Sequence, residues 1–363
     1  MYIESLELKN IRSYESLSVE FDPGTNVLYG DNAQGKTNVL EAIYLCGTSK
    51  SYRGSRDGEI IRFGADEAHI RMKLKRDGVT RRIDMHLRKN RAKGVAIDGI
   101  PIRKAAELLG LCGMVFFSPE DLNIIKSGPR ERRRFLDALI CETDRYYLHQ
   151  LSSYQKVLQQ RNKLLKELSD NRSLEDTLDV WDEQLIRFGT SLIEGRSSMI
   201  EQLNQTSSKI HENLTGGKES IRIQYKPDIE AAEFAGALKN ARERDRRFRQ
   251  STVGPHRDDF RVLSDETDLR KFGSQGQQRS AALSLKLSEI SMIEKNTGKS
   301  PVLLLDDVLS ELDSTRQNYL LSGIGGVQTF ITCTGMDELV EHKFPIDRVF
   351  HVEKGTLQLI SGQ

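Results

Sequence analysis

Gly30-Asp31-Asn32-Ala33-Gln34-Gly35-Lys36-Thr37 fits the pattern G-x-x-x-x-G-K-[ST]. The short apolar run Asn26-Val27-Leu28-Tyr29 stands before it and reads as a strand. From 37 to 45 the apolar residues recur at helical spacing. Strand, glycine loop and helix in that order make a phosphate-binding loop. The glycines let the chain curl so that backbone N–H groups face the phosphates. The helix adds the positive end of its dipole. Gly30, Asp31, Asn32, Ala33, Gln34, Gly35, Lys36, Thr37 and the adjoining Asn38 are therefore expected to hold a nucleotide, ATP. Lys36 would reach its β- and γ-phosphates, and the Thr37 hydroxyl would ligate Mg2+.

Working outward, Val302-Leu303-Leu304-Leu305-Asp306-Asp307 is an apolar run ending in two carboxylates. A buried strand beside the phosphate loop would present Asp306 to the Mg2+, the Walker B arrangement. Asp307 is then the residue to polarise an attacking water. Lys36, Asp306 and Asp307 form the expected catalytic set. Ser274-Gln275-Gly276-Gln277-Gln278 opens a helical run, with Ser274 as its N-cap. It resembles the signature of ABC proteins, usually written L-S-G-G-Q, with Gly273 for the leucine and Gln275 for the first glycine. A serine and a glycine at a helix N-terminus can hold a γ-phosphate. Ser310-Glu311-Leu312-Asp313 looks like the ABC D-loop, which adds Asp313 to the nucleotide contacts. The apolar run Phe330-Ile331-Thr332 should end near the γ-phosphate. ABC proteins usually carry Glu at the place of Asp307 and a histidine near that of Thr332. A threonine hydroxyl can hydrogen-bond a phosphate but is no base at neutral pH. Slow turnover is the expectation.

The rest of the chain frames these motifs. Alternation marks strands at 2–8 and 17–21 and a hairpin across Asp77-Gly78, with a shorter one across Asp98-Gly99. Beyond about residue 120, Leu151, Leu158 and Leu165 recur every seven residues, and Trp181, Leu185, Phe188 and Leu192 repeat by four, three, four. These read as an antiparallel helical pair separated by the polar stretch 169–177, with Arg161 interrupting the seam. After Gly216-Gly217 come a strand, a polar helical stretch at 228–250, a helix at 275–294, two strand–helix alternations and a final hairpin near 348–360. The expected architecture is α/β. A P-loop ATPase head (1–120 with 251–363) is split in sequence by an inserted, mainly helical lobe (121–250).

The 363 residues carry a net charge of +1, so no global field draws polyanions, and a nucleic-acid site has to come from local clusters. Two exist. Arg130, Arg132, Arg133 and Arg134 surround only Glu131, and Arg242, Arg244, Arg246 and Arg247 form the second. Arginine forks suit phosphates and can supply duplex affinity. The interleaved Glu243 and Asp245 equally describe a solvated helix face. Arg12, between two strands, faces either nucleotide phosphates or DNA, or is a surface turn. The four cysteines have no C-x-x-C spacing, which argues against a metal centre. No apolar run approaches membrane-span length and the N-terminus lacks a signal pattern, so a cytoplasmic protein without a membrane partner is expected.

The motif order resembles the SMC-like ABC ATPases and, within them, the RecF family. The matching stretches are Asn10-Ile11-Arg12-Ser13-Tyr14, the phosphate loop, Phe117-Ser118-Pro119-Glu120-Asp121 with the arginine run after it, Thr252-Val253-Gly254-Pro255-His256-Arg257-Asp258-Asp259, the signature, and Walker B with the D-loop. The resemblance implies an ATP-dependent homodimer, in which each signature serves the other copy's nucleotide. It implies binding of duplex and gapped DNA and a weak, DNA-stimulated ATPase. It also implies a role in replication, recombinational repair and the SOS response, helping to load RecA with RecO and RecR. The alternative is a soluble ABC ATPase that remodels a protein partner.

Overall fold

Strand β3 (Thr25–Tyr29) and helix α1 (Lys36–Thr48) flank the phosphate loop as expected. The computed structural model describes residues 1–104, 107–108, 110–168, 176–335 and 344–362. They form two units, Met1–Asp121 with Glu289–Gln363, and Leu122–Ser288.

In the first unit, β1 (Tyr2–Ile11), β2 (Tyr14–Glu20), β4 (Glu67–Arg76), β5 (Val79–Arg88), β6 (Gly94–Ile97) and β7 (Ile100–Pro101) make an antiparallel sheet of order β2-β1-β4-β5-β6-β7. Arg76 pairs with Val79, so Asp77-Gly78 is a two-residue turn, with both residues at positive φ. That is the primed geometry which matches strand twist. The short helix α2 (Asp57–Ile60) follows α1 in the chain. A second sheet combines β8 (Met114–Phe117), β12 (Val302–Asp306), β13 (Thr329–Cys333), β14 (Arg348–Glu353) and β15 (Thr356–Gly362) with β3, in the order β15-β14-β3-β13-β12-β8. Only the β14–β15 pair is antiparallel. Strands β12 and β13 are buried along their whole length, as parallel strands covered on both faces are. Helix α1 packs on strands of both sheets, which explains why its apolar residues Val39, Leu40, Ile43 and Leu45 run around it rather than along one stripe. One expectation changes: β13, not β12, lies beside β3. The Walker B strand is thus one place removed, and Thr332 stands between Asp306 and Leu28 in register.

The second unit starts with α3 (Asn123–Lys126), α4 (Pro129–Thr143), α5 (Arg145–Glu167) and α6 (Thr177–Thr215). Arg161 on α5 meets Asp182 on α6, and Tyr147 meets Arg196, so the two helices are antiparallel. Residues 169–175 of the expected polar separator lie outside the described residues. Arg161 does not interrupt the seam as a surface charge would. It is fully buried and bonded to Asp182 (2.6 Å), Asp245 (2.7 Å) and Ser251 (2.8 Å). Helix α6 ends at Gly216 in the left-handed conformation. Then come β9 (Arg222–Lys226), α7 (Phe234–Asn240), α8 (Arg242–Phe248), β10 (Asp259–Ser264), β11 (Thr267–Asp268) and α9 (Leu269–Phe272), with sheet order β11-β10-β9. Helix α10 (Gln275–Thr297) begins in this unit and ends in the first. The second boundary therefore falls at Ser288/Glu289 rather than at residue 250. Pairing of β9 with β10, and the bonds of Asp258 to Arg196 and Tyr225, hold the segment after 250 to the inserted helices. Between β12 and β13 the first unit has α11 (Ser314–Gly323).

Candidate nucleotide site

The loop's shape rests on its glycines. Gly30 has φ +150°, and a Cβ there would lie 2.4 Å from the carbonyl oxygen of Val352. Gly35 has φ +115°, with a Cβ position 2.7 Å from Ser13 Oγ. No side chain caps α1 at Gly35, so no capping group competes with an anion at this helix end, although the Asn38 N–H turns back to the Gly35 carbonyl at 3.0 Å. Lys36 is buried, and its ammonium donates to the carbonyls of Gly30 (2.6 Å) and Asp31 (3.0 Å). Asp31, Asn32 and Ala33 are exposed at the loop's crest. Gln34 turns the other way. Its Oε1 accepts the Lys354 N–H (2.8 Å) and its carbonyl accepts the Gly355 N–H (3.2 Å), tying the loop to the β14–β15 turn. Asn38 donates to Ser13 Oγ (3.0 Å), and Tyr14 donates to the Gly35 carbonyl (3.2 Å).

Asp306 is the hub. Thr37 donates to its Oδ1 at 2.7 Å, Thr332 to the same oxygen at 2.9 Å, and Tyr52 to its Oδ2 at 3.1 Å. Thr332 also accepts the Asp307 N–H at 3.0 Å. Asp307 has φ +51°, the left-handed region that aspartate tolerates better than most residues. Burial pushes its carboxyl above the ordinary carboxylate range; Lys36 opposes this and Asp306 adds to it. The Thr37 hydroxyl and the Asp306 carboxylate are hard oxygen donors within one ion's reach, which fits Mg2+. Tyr52 was not foreseen. It stacks on Phe116 at 3.7 Å between centroids, and burial pushes its phenol up. An aromatic residue just beyond a helix end carries no sequence signal for such a contact. Arg12 is committed elsewhere. Its guanidinium pairs with buried Glu41 (2.9 and 3.0 Å) and donates to Ser55 Oγ and the Glu59 carbonyl.

Ser274 caps the signature helix. The Gln277 N–H donates to its Oγ (3.2 Å), and the Gln277 side chain accepts the Ser274 N–H (2.9 Å), a reciprocal capping box. Ser274 and Gln275 are exposed, and Gly276 is half-buried. The signature thus belongs to the second unit and the phosphate loop to the first. Asp313 is exposed and caps α11 through the Arg316 N–H at 3.0 Å.

Residues 2–358 match the RecF/RecN/SMC N terminal domain. The chain belongs to that family. A protein of Agathobacter rectalis named DNA replication and repair protein RecF is 56% identical over 360 residues, 99% of each chain. One of Lachnoclostridium phytofermentans with the same name is 55% identical over 358 residues, again 99% of each. A solved structure of the recombination mediator protein RecF with ATP, in the RecFOR pathway, superposes with a TM-score of 0.93 at 35% identity, covering 99% of this chain and 98% of the other. An Smc head domain from Pyrococcus furiosus shares the fold alone, at 18% identity and a TM-score of 0.56, over 99% and 96% of the chains. The ABC-type, SMC-like head expected from motif order is this family's fold.

Within this RecF/SMC-type chain the two arginine clusters divide. Arg132 is buried, bidentate to Asp259 (2.6 and 3.0 Å), and donates to the Ser127 carbonyl. Arg242 joins Asp182 and Asp179. Arg132 is used wholly inside the fold, while Arg242 shares its charge with two carboxylates and stays partly exposed. Each lies on the inward face of its helix, a distinction that charge counting cannot make. Arg133 is half-buried and donates to the Asp258 carbonyl at 2.6 Å. Arg244 donates to Thr252 Oγ1 at 2.8 Å, and Arg246 is half-buried. Arg130, Arg134 and Arg247 are exposed, Arg134 beside Glu131 at 3.9 Å and Arg247 over the Phe248 ring.

Proposed function

We propose that this chain is an ATP-operated DNA-binding protein of replication and recombinational repair. Each copy binds ATP and Mg2+ through its own phosphate loop. Two copies close when Ser274 and Gly276 of each engage the other's γ-phosphate, with Asp313 crossing between them. The closed dimer holds duplex DNA at gaps and assists RecA loading with RecO and RecR. Slow hydrolysis, with Asp307 polarising water, reopens it. The observation that carries this reading is the hydrogen-bonded set Thr37, Asp306, Thr332 and Asp307 at the phosphate loop. Relatives named for DNA replication and repair, matched along nearly the whole chain, support the DNA half of it.

Fluorescence anisotropy of a gapped duplex, with and without ATP at two salt concentrations, tests the reading. Tight binding only with ATP, weakening steeply with salt, is the expected result. Absence of binding in both conditions favours the second reading, an ABC ATPase that remodels a protein partner. That reading draws its support from Arg132 and Arg242, whose charges are paired with carboxylates of the same chain.

A further inference from the structure

On the solvent face of the antiparallel sheet, on the two strands joined by the Asp77-Gly78 turn, Glu67, His69 and His86 come together. His69 on β4 is the register partner of His86 on β5, and their rings stack at 4.1 Å with 18° between planes. Glu67 precedes His69 by two residues, so strand pleating puts its carboxylate on the same face. Glu67 Oε2 lies 2.9 Å from His86 Nε2, and Oε1 lies 3.9 Å from His69 Nε2. One donor atom from each of the three residues falls within 4.8 Å of the others. We propose that Glu67, His69 and His86 form a surface site for a borderline divalent transition metal, zinc above all.

The donor set selects the ion class. Two imidazoles and one carboxylate suit zinc, copper or nickel rather than Mg2+ or Ca2+, which take oxygen ligands. The surrounding charge agrees, because Lys9 pairs with His69 in register and Arg88 with Glu67. Both cations repel any divalent ion, so the single carboxylate would not hold one alone and the two imidazole nitrogens have to supply the affinity. Zinc bonds at about 2.0–2.2 Å, so the three donor atoms, now within 4.8 Å of one another, would have to draw closer by side-chain rotation. The strands fix the Cα positions, so little backbone order has to be gained. The fourth position is open. Gly94 is the register partner of His86 on its other side, and a Cβ there would lie 4.0 Å from His86 Cβ. With no side chain at that position, water or a donor from another molecule can approach the ion. Cysteine spacing gave no hint of such a site, since its second histidine arrives only through strand register.

The full-length protein, in excess Mg2+ and without nucleotide, is titrated with Zn2+ against a chromophoric chelator. One equivalent is expected to bind. His69→Ala and His86→Ala should each weaken binding by at least roughly 10–100-fold, the loss that even outer-shell changes cause. Both histidines are at the surface, so the variants keep their melting temperature in the absence of metal. Cu2+ bound at the same place should show hyperfine coupling to two nitrogens. Failure of the wild-type chain to hold one equivalent overturns the proposal. So does a His69→Ala/His86→Ala double variant that holds zinc as tightly as wild type, which would move the ion to the buried cysteines or Asp306.

Discussion

Thr37 and Thr332 donate to one and the same oxygen, Oδ1 of Asp306, at 2.7 and 2.9 Å. The first hydroxyl comes from the helix after the phosphate loop, the second from the strand between β3 and β12. Because Thr332 also accepts the Asp307 backbone N–H, a single hydroxyl holds the Asp306 carboxylate and the backbone of Asp307. Thr332→Val keeps the shape and removes both bonds. The expected cost is about 1–3 kcal/mol in stability, from leaving buried polar groups unpaired. ATP affinity should hardly change, while turnover falls about tenfold to a hundredfold, as misplaced groups cause. A valine variant with wild-type turnover would remove Thr332 from the site.

Asp307 yields a prediction with a definite sign. Its carboxyl is raised by burial, so folding favours the protonated form. The stability it contributes is fully present below the ordinary aspartate pKa of about 3.9, and is lost as pH rises through its raised value in the fold. Asparagine imitates the neutral form at every pH. Without nucleotide, Asp307→Asn should therefore melt above wild type at neutral pH, and the difference should close in acid. With ATP and Mg2+ the same variant should accumulate as the closed dimer and hydrolyse little. Hydrolysis at the wild-type rate would exclude Asp307 from the chemistry.

Lys36 and Ser274 should separate binding from assembly. Lys36→Ala removes the buried ammonium at the phosphate loop, and nucleotide-binding fluorescence should be lost. Ser274→Arg alters an exposed cap in the other unit. That variant should bind ATP normally and stay monomeric by sedimentation at saturating ATP and Mg2+. Dimerisation of Ser274→Arg on ATP would mean that the signature has been misassigned.

The arginines of α4 should part in the same way. Arg132→Ala breaks a largely buried pair with Asp259, so about 3 kcal/mol of stability should go. DNA affinity per folded molecule should hold. Arg130→Ala and Arg134→Ala, both at exposed positions, should leave melting unchanged. Each should lower the slope of log affinity against log salt by about 0.9, one phosphate contact. Wild-type slopes in all three variants would clear this helix of DNA contact.

The strand, loop and helix around Gly30–Thr37, the cap at Ser274 and the strand that ends in Asp306 were legible because each is contiguous. A few neighbouring residues carry the whole chemical requirement, and local hydrophobic pattern supplies the strand or helix around them. What stayed hidden depends on partners distant in sequence. Arg161 reads as a break in an apolar seam until Asp182 and Asp245 close around it. Arg132 and Arg130 are alike in composition and differ only in which helix face meets Asp259. The second domain boundary was invisible for another reason. It falls inside α10, where an unbroken helix gives no change of pattern. Tyr52 and β8, an aromatic in a loop and four apolar residues without alternation, offered no periodicity to read.

Strand β3 carries the phosphate loop, yet both its neighbours, β13 and β14, come from the end of the chain. During synthesis this gives the protein a fixed order of assembly. The loop leaves the ribosome well before the two strands that frame it. The wait is on the order of tens of seconds at roughly 5–20 residues per second. Every strand and helix of the second unit up to Ser288 emerges inside that interval and can fold first. A nascent chain stalled before β13 would carry a folded second unit and a phosphate loop still without either neighbour of β3. Nucleotide binding is therefore expected only from a chain that already includes β13 and β14.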